Sequence, residues 1–173
     1  MQANNNNKVL KEFGSNVQLA LDASIMQFME DIATNIMDDI KDLEGFTNQT
    51  FNLEDSYGCG IYKDGVLKKI VWANATKVAN EPRKRNNVEY WGRELAEDFF
   101  NSYKSDGSGK YELVVAAVMY YAKYVENYHL LNVLSDSWIK TKTDLKGGKY
   151  TVVFKKIAAN MLNKYFKWSY GLL

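Results

Sequence analysis

The chain has 173 residues, 46% hydrophobic and 25% charged, with a net charge of +1; this balance suits a globular protein with its own core and argues against a general nucleic-acid binder. Its single cysteine, Cys59, excludes an intrachain disulfide and an all-cysteine metal site and points to a reducing compartment. No run approaches eighteen apolar residues, so no membrane span is expected, and the polar start lacks the apolar segment of a signal peptide.

Residues 1–14, asparagine-rich at their start, read as a flexible N-terminal arm. Leu10, Phe13, Val17, Leu21, Ile25, Phe28, Met29, Ile32, Ile36, Ile40 and Leu43 then recur at three- and four-residue steps, the stripe of a long amphipathic helix. Ser15 is a candidate N-cap and Gly45 a candidate C-cap. Residues 53–73 read as a β-hairpin turning at Asp64-Gly65, a pair suited to positive φ at both positions. That turn predicts Tyr57 opposite Trp72, Cys59 opposite Ile70 and Ile61 opposite Lys68, with Gly58 and Gly60 leaving room on the other face for a close approach.

Residues 74–88 form a polar connection around the single proline, Pro82, and read as a flexible loop. A helix is expected over 90–103, with Trp91, Leu95 and Phe99 on one stripe. Residues 111–121 are nearly continuously apolar, on both faces from Leu113 to Tyr120, which suits a strand in the middle of a sheet. Residues 135–145 read as a helix, and Tyr150, Val153, Phe154, Ile157, Met161, Leu162 and Tyr165 mark a last amphipathic helix exposing Lys155, Lys156, Lys164 and Lys167. The predicted class is α+β: a long N-terminal helix, with a β-hairpin and a central strand forming a small antiparallel sheet, packed by further helices. Residues 15–173 are expected to form one domain.

Charge is unevenly spread. Residues 1–60 hold three Lys/Arg and ten Asp/Glu, net −7; residues 61–100 hold eight and six, net +2; residues 101–173 hold eleven and five, net +6. Such a split suits head-to-tail contacts between identical subunits. Asp38, Asp39, Asp42 and Glu44 cluster at the negative end of the first helix dipole; a solvated face is the leading reading, with a cationic neighbour or a divalent-cation site as the alternatives. Arg83, Lys84 and Arg85 form a basic run, read as loop charge with phosphate contact as the alternative.

His129, the one histidine, has no marked nucleophile partner. Gly147-Gly148-Lys149 lacks the remaining positions of a phosphate loop, and Gly58-x-Gly60 sits inside a hairpin rather than before a helix. No catalytic, cofactor-binding or metal-binding residue is assigned, no cofactor is expected, and the chain is read as non-enzymatic.

Two stretches carry a resemblance. Thr50-Phe51-Asn52-Leu53-Glu54-Asp55-Ser56-Tyr57-Gly58, followed by a strand and a Lys-Asp-Gly turn, is similar to the Thr-Gly-Asn-Leu-Arg-x-Ser-x-Gly hairpin entry of a tail-completion (neck) family of tailed bacteriophages, closest in the form found in phages of Bacteroides-like gut bacteria. Ala117-Val118-Met119-Tyr120-Tyr121-Ala122-Lys123-Tyr124-Val125-Glu126 with the later Val133-Leu134 resembles that family's Ala-Gly-Met-x-Tyr-Ala-x-Tyr-Val-Glu stretch. The sequence departs at Phe51 and Val118, glycines in the family, and at Glu54, where the family is basic.

The resemblance implies a structural virion protein, assembled in the host cytoplasm, that forms a homo-oligomeric ring at the head–tail junction. Its implied partners are portal or adjacent neck rings and tail proteins. Packaged DNA would pass nearby without specific binding, and no membrane is involved. The candidate interface or channel residues are Asp38, Asp39, Asp42, Glu54, Arg83, Lys84, Arg85, Lys155 and Lys156. The alternative is another non-enzymatic interaction protein, such as a minor capsid component or adaptor.

Overall fold

The computed structural model describes residues 2–42, 51–73, 79–105, 109–128 and 133–170. The elements are α1 (Gln2–Asp42), α2 (Asn52–Asp55), β1 (Tyr57–Lys63), β2 (Val66–Trp72), β3 (Arg83–Arg85), β4 (Val88–Tyr90), α3 (Gly92–Ser102), β5 (Tyr111–Ala117), α4 (Ala122–Tyr128), α5 (Val133–Lys146) and α6 (Thr151–Tyr170). The fold is α+β, with a long N-terminal helix, a three-stranded antiparallel sheet and further helices. The chain divides into two compact units, Met1–Met29 with Asp144–Leu173, and Glu30–Thr143. Among the described residues no helix is long and apolar enough to cross a membrane.

In the first unit, α1 starts at Gln2 and passes through Gly14 and Ser15 without a break. The arm read over 1–14 and the cap at Ser15 are therefore helical turns. A mid-helix glycine costs only about 1 kcal/mol relative to alanine, which a long helix absorbs. Phe28 meets the rings of Phe154 at 5.2 Å and Tyr150 at 6.0 Å, both edge-on. The residues of α1 that bury fully here are Ala20 and Ser24, the serine hydroxyl donating to Ala20 C=O at 2.6 Å. Leu10, Phe13 and Leu21 of the expected stripe stay exposed. A glycine-ended turn separates α5 from α6: Gly148 has φ 74°, its N–H donates to Leu145 C=O, and Lys149 N–H donates to Asp144 C=O, the paired bonds of a Schellman motif. The stop read at Gly45 lies outside the described residues.

In the second unit the sheet order is β2-β1-β5. The expectation of a central strand at 111–121 is corrected: β1 takes the middle, buried at six of its seven positions, and β5 lies at an edge, ending at Ala117. Leu53, read as strand, belongs instead to the single turn α2, although it is buried as expected.

The Asp64-Gly65 turn has φ 52° and 74°, the positive pair that its residues predict. Next to it Lys63 pairs with Val66 and Tyr62 with Leu67, the expected register; a bulge between Ile61 and Tyr62 then shifts the pairing, giving Ile61–Lys69, Gly60–Ile70, Cys59–Val71 and Gly58–Trp72. The bulge moves Ile70 and Trp72 from the Cys59 face to the glycine face.

That shift decides how the helices pack. Phe100 of α3 and Trp72 cover Gly58 and Gly60: a Cβ on Gly58 would lie 2.7 Å from Phe100 and 2.9 Å from Trp72, and one on Gly60 would lie 2.8 Å from Phe100. Tyr62, on the same face, donates its hydroxyl to Phe100 C=O at 2.6 Å. On the opposite face Tyr57, Cys59 and Ile61 are buried. Lys69, on that face opposite Ile61, pairs with Glu30 of α1, and Ile32, Ala33, Ile36, Met37 and Ile40 of the same helix form a buried stripe.

The glycines predict a steric test. Gly58→Ala and Gly60→Ala are each expected to lower stability by about 1–3 kcal/mol in urea unfolding, and Phe100→Leu in the Gly58→Ala background should recover part of the loss. Burial also makes stability depend on alkaline pH. It pushes the Cys59 thiol from 9.0 up to about 12. Burial first, then Tyr103 and Glu112, push the Tyr62 hydroxyl from 10.0 to about 12. Both groups bind their protons more tightly when folded, so their stabilisation is complete below pH 9 and is lost as pH rises toward 12. Melting temperature should fall across that window, and less steeply in Cys59→Ala.

Candidate functional site

The first motif stretch builds a buried polar node. Phe51 sits at φ 57°, the left-handed region, and caps the single turn α2. Asn52 follows, with no exposed surface. Its amide nitrogen donates to Glu81 C=O at 2.6 Å, and its amide oxygen accepts from Gly92 N–H at 2.8 Å. One side chain thereby ties α2, the segment before β3 and the start of α3. Gly92 packs so closely that a Cβ there would fall 1.8 Å from Asn52 C=O, so no larger residue fits. Asp55 accepts from Ala79 N–H at 2.7 Å, and Arg93 lies 3.8 Å from its other oxygen while stacking 4.0 Å over the Trp72 ring. The Ser56 hydroxyl donates to Leu53 C=O at 2.8 Å.

The second motif stretch anchors a small hairpin. The connection read as a flexible loop contains β3 and β4, joined by Asn86-Asn87 at φ 51° and 62°. Asparagine tolerates this conformation, and two such residues in sequence make the same tight turn as Asp-Gly. Alternation along β3 divides the basic run. Arg83 lies 5.8 Å over the Tyr121 ring and Arg85 5.0 Å over the Tyr120 ring, while Lys84 pairs with Glu89 at 2.9 Å. The bond to Glu89 raises the Lys84 pKa. Tyr90 meets Tyr120 edge-on at 5.8 Å. Cationic and aromatic faces are thus matched within the unit.

The remaining candidates are dispersed. Asp38 is exposed, Asp39 pairs with Lys140 of α5 at 2.7 Å, and the side chain of Asp42 lies outside the described residues. Glu54 is half-buried on α2; Lys155 and Lys156 are exposed on α6. Among the described residues no three His, Cys, Asp or Glu side chains gather to hold a metal ion. His129 lies outside the described residues.

Concavities are also present among the described residues. One of about 510 Å³ lies between β5 and α5, and one of about 530 Å³ borders the Asp64-Gly65 turn and Lys104 and Lys110. Sequence reading missed the pairing of Asn52 with Gly92 and the β5–α5 cavity. A glycine directly before the periodic run of α3 was the available sign of the first; nothing local signals the second.

No family model, curated protein or solved structure matches the chain.

The node predicts that Asn52→Ala costs about 2–4 kcal/mol, because two buried backbone groups lose their partner. Gly92→Ala should be at least as damaging in the same denaturant titration. Phe51→Gly should be tolerated, and Phe51→Val should destabilise, since a β-branched residue is poorly accommodated at positive φ.

Proposed function

We propose that the chain is a non-enzymatic structural virion protein, a ring-forming subunit of the phage head–tail junction that connects portal to tail around the DNA channel. The observation that carries this reading is the behaviour of the motif shared with the neck family. The two agree at Thr50, which lies outside the described residues, and at Asn52, Leu53, Ser56 and Gly58, each of which is buried here, either in the polar node or under Phe100. Phe51 stands where the family has glycine, and its backbone adopts the conformation glycine favours. The resemblance therefore falls on residues with geometric work to do.

Self-assembly draws support from the first unit. Its two helices meet along one seam, which leaves Val9 63%, Leu10 66%, Phe13 55% and Val152 75% exposed. Apolar groups in that number suit burial against neighbouring subunits. Lys155 and Lys156 add exposed positive charge on α6, which carries no acidic residue, and Asp38 adds exposed negative charge on α1. Heterologous contact of unlike faces generates a ring where the rotation closes.

The expected outcome is concentration-dependent association in sedimentation velocity, closed rings in electron micrographs and recovery of the chain with phage particles. Leu10→Ser with Phe13→Ser should weaken association while leaving the urea transition of the second unit intact. A chain that stays monomeric at high concentration and is absent from particles would falsify the proposal.

A further inference from the structure

Among the described residues β5 is paired on one side only, with β1. Two bonds fix the phase of the ladder. Asp64 N–H donates to Lys110 C=O at 2.8 Å, and Ala73 N–H donates to Tyr57 C=O at 3.2 Å. Antiparallel strands alternate between residues that bond inward and residues that bond outward. In β5 the even-numbered residues therefore bond to β1, and Leu113 and Val115 turn their N–H and C=O groups to the free edge. Among the described residues no hydrogen bond reaches those groups.

The cavity of about 510 Å³ lies against this edge, lined by Glu112, Leu113, Val114 and Val115 from β5 and by Leu134 and Trp138 from α5. Successive strand residues point to opposite faces. A cavity touching four in a row runs along the edge of the strand rather than over one face. Leu134 and Trp138, one helical turn apart, make the opposite wall. An open strand edge facing a helix across an apolar groove is the setting in which extended peptides add to a sheet, main-chain bonds giving affinity and the groove selecting side chains.

Glu112 adds a charge preference. Its Oε1 accepts from the Tyr103 hydroxyl at 2.9 Å, while Oε2 is buried without a hydrogen-bond partner. A buried carboxylate oxygen left unpaired is costly, and a cationic donor arriving with a ligand removes that cost. A small amine would satisfy Glu112 yet leave the strand edge unpaired; an acidic segment would be repelled.

We infer that the groove between β5 and α5 docks an extended segment of a partner protein, apolar at alternate positions and carrying a lysine or arginine that reaches Glu112. This goes beyond ring formation and does not depend on it, because the groove lies within the second unit.

The test uses the full chain and blocked heptapeptides of alternating valine and threonine with a central lysine, or with glutamate in its place. Amide hydrogen exchange should show Leu113 and Val115 protected by about tenfold or more on adding the lysine peptide. The glutamate peptide should bind about tenfold more weakly, and Glu112→Gln should erase that difference. A lysine peptide N-methylated along its pairing edge should not bind. Absence of binding at about 1 mM lysine peptide, or equal binding of the two peptides, overturns the proposal. Protection of Leu113 and Val115 that grows with protein concentration alone overturns it too, by assigning the groove to a second copy.

Discussion

The side-chain amide of Asn52, with no exposed surface, ties three segments together at one point. Its oxygen fixes the N–H of Gly92 at the start of α3, and its nitrogen fixes the carbonyl of Glu81 before β3. With α3 held at its first residue, Phe100 comes down on Gly58 and Gly60, where a Cβ could not stand. Tyr62 then reaches the Phe100 carbonyl, and Arg93 reaches both Trp72 and Asp55. The sheet face, the helix over it and the hairpin beside it share one polar origin. A buried amide is well suited to this, since it satisfies a donor and an acceptor at once and loses much if either is misplaced.

The class of the fold was legible because it rests on period: the three- and four-residue steps of α1 and α6 and the Asp-Gly turn all act locally. What was not legible depends on contacts distant in sequence. Turn chemistry sets the register next to Asp64-Gly65, and it held there. It carries no information about the bulge at Ile61/Tyr62, which reassigned Trp72 and Ile70 to the glycine face. Residues 111–121 are apolar on both faces, which reads as a central strand. β5 instead lies at an edge, its second side meeting a groove and the helix α5. The Asn86-Asn87 turn is not legible in sequence because asparagine pairs signal a turn less strongly than Asp-Gly does.

The candidate residues fared according to the same distinction. The basic run is visible in sequence, but its division is a strand property: Arg83 and Arg85 go to tyrosines on one side, Lys84 to Glu89 on the other. Tyr120 and Tyr121 looked like part of a shared motif, and their partners turn out to be the loop once read as flexible. Asn52 has no role legible in sequence, since an amide reveals its function only when both of its partners are placed.

The charge split also changes meaning once folded. Counted along the sequence, −7 in the first third and +6 in the last suggests two faces free to meet between subunits. Part of that complementarity is used inside the chain: Glu30 pairs with Lys69, and Asp39 with Lys140 of the basic last third. Exposed pairs of this kind add little stability, but they remove their charges from any outward-facing patch. Among the charges and apolar groups that stay exposed are Asp38 on α1, Lys155 and Lys156 on α6, and the side chains of Val9, Leu10, Phe13 and Val152. Apolar area sets the strength of an interface, and charge sets its register and partner. Association of this chain should therefore persist at salt concentrations that screen the lysines, and lose selectivity before it loses strength.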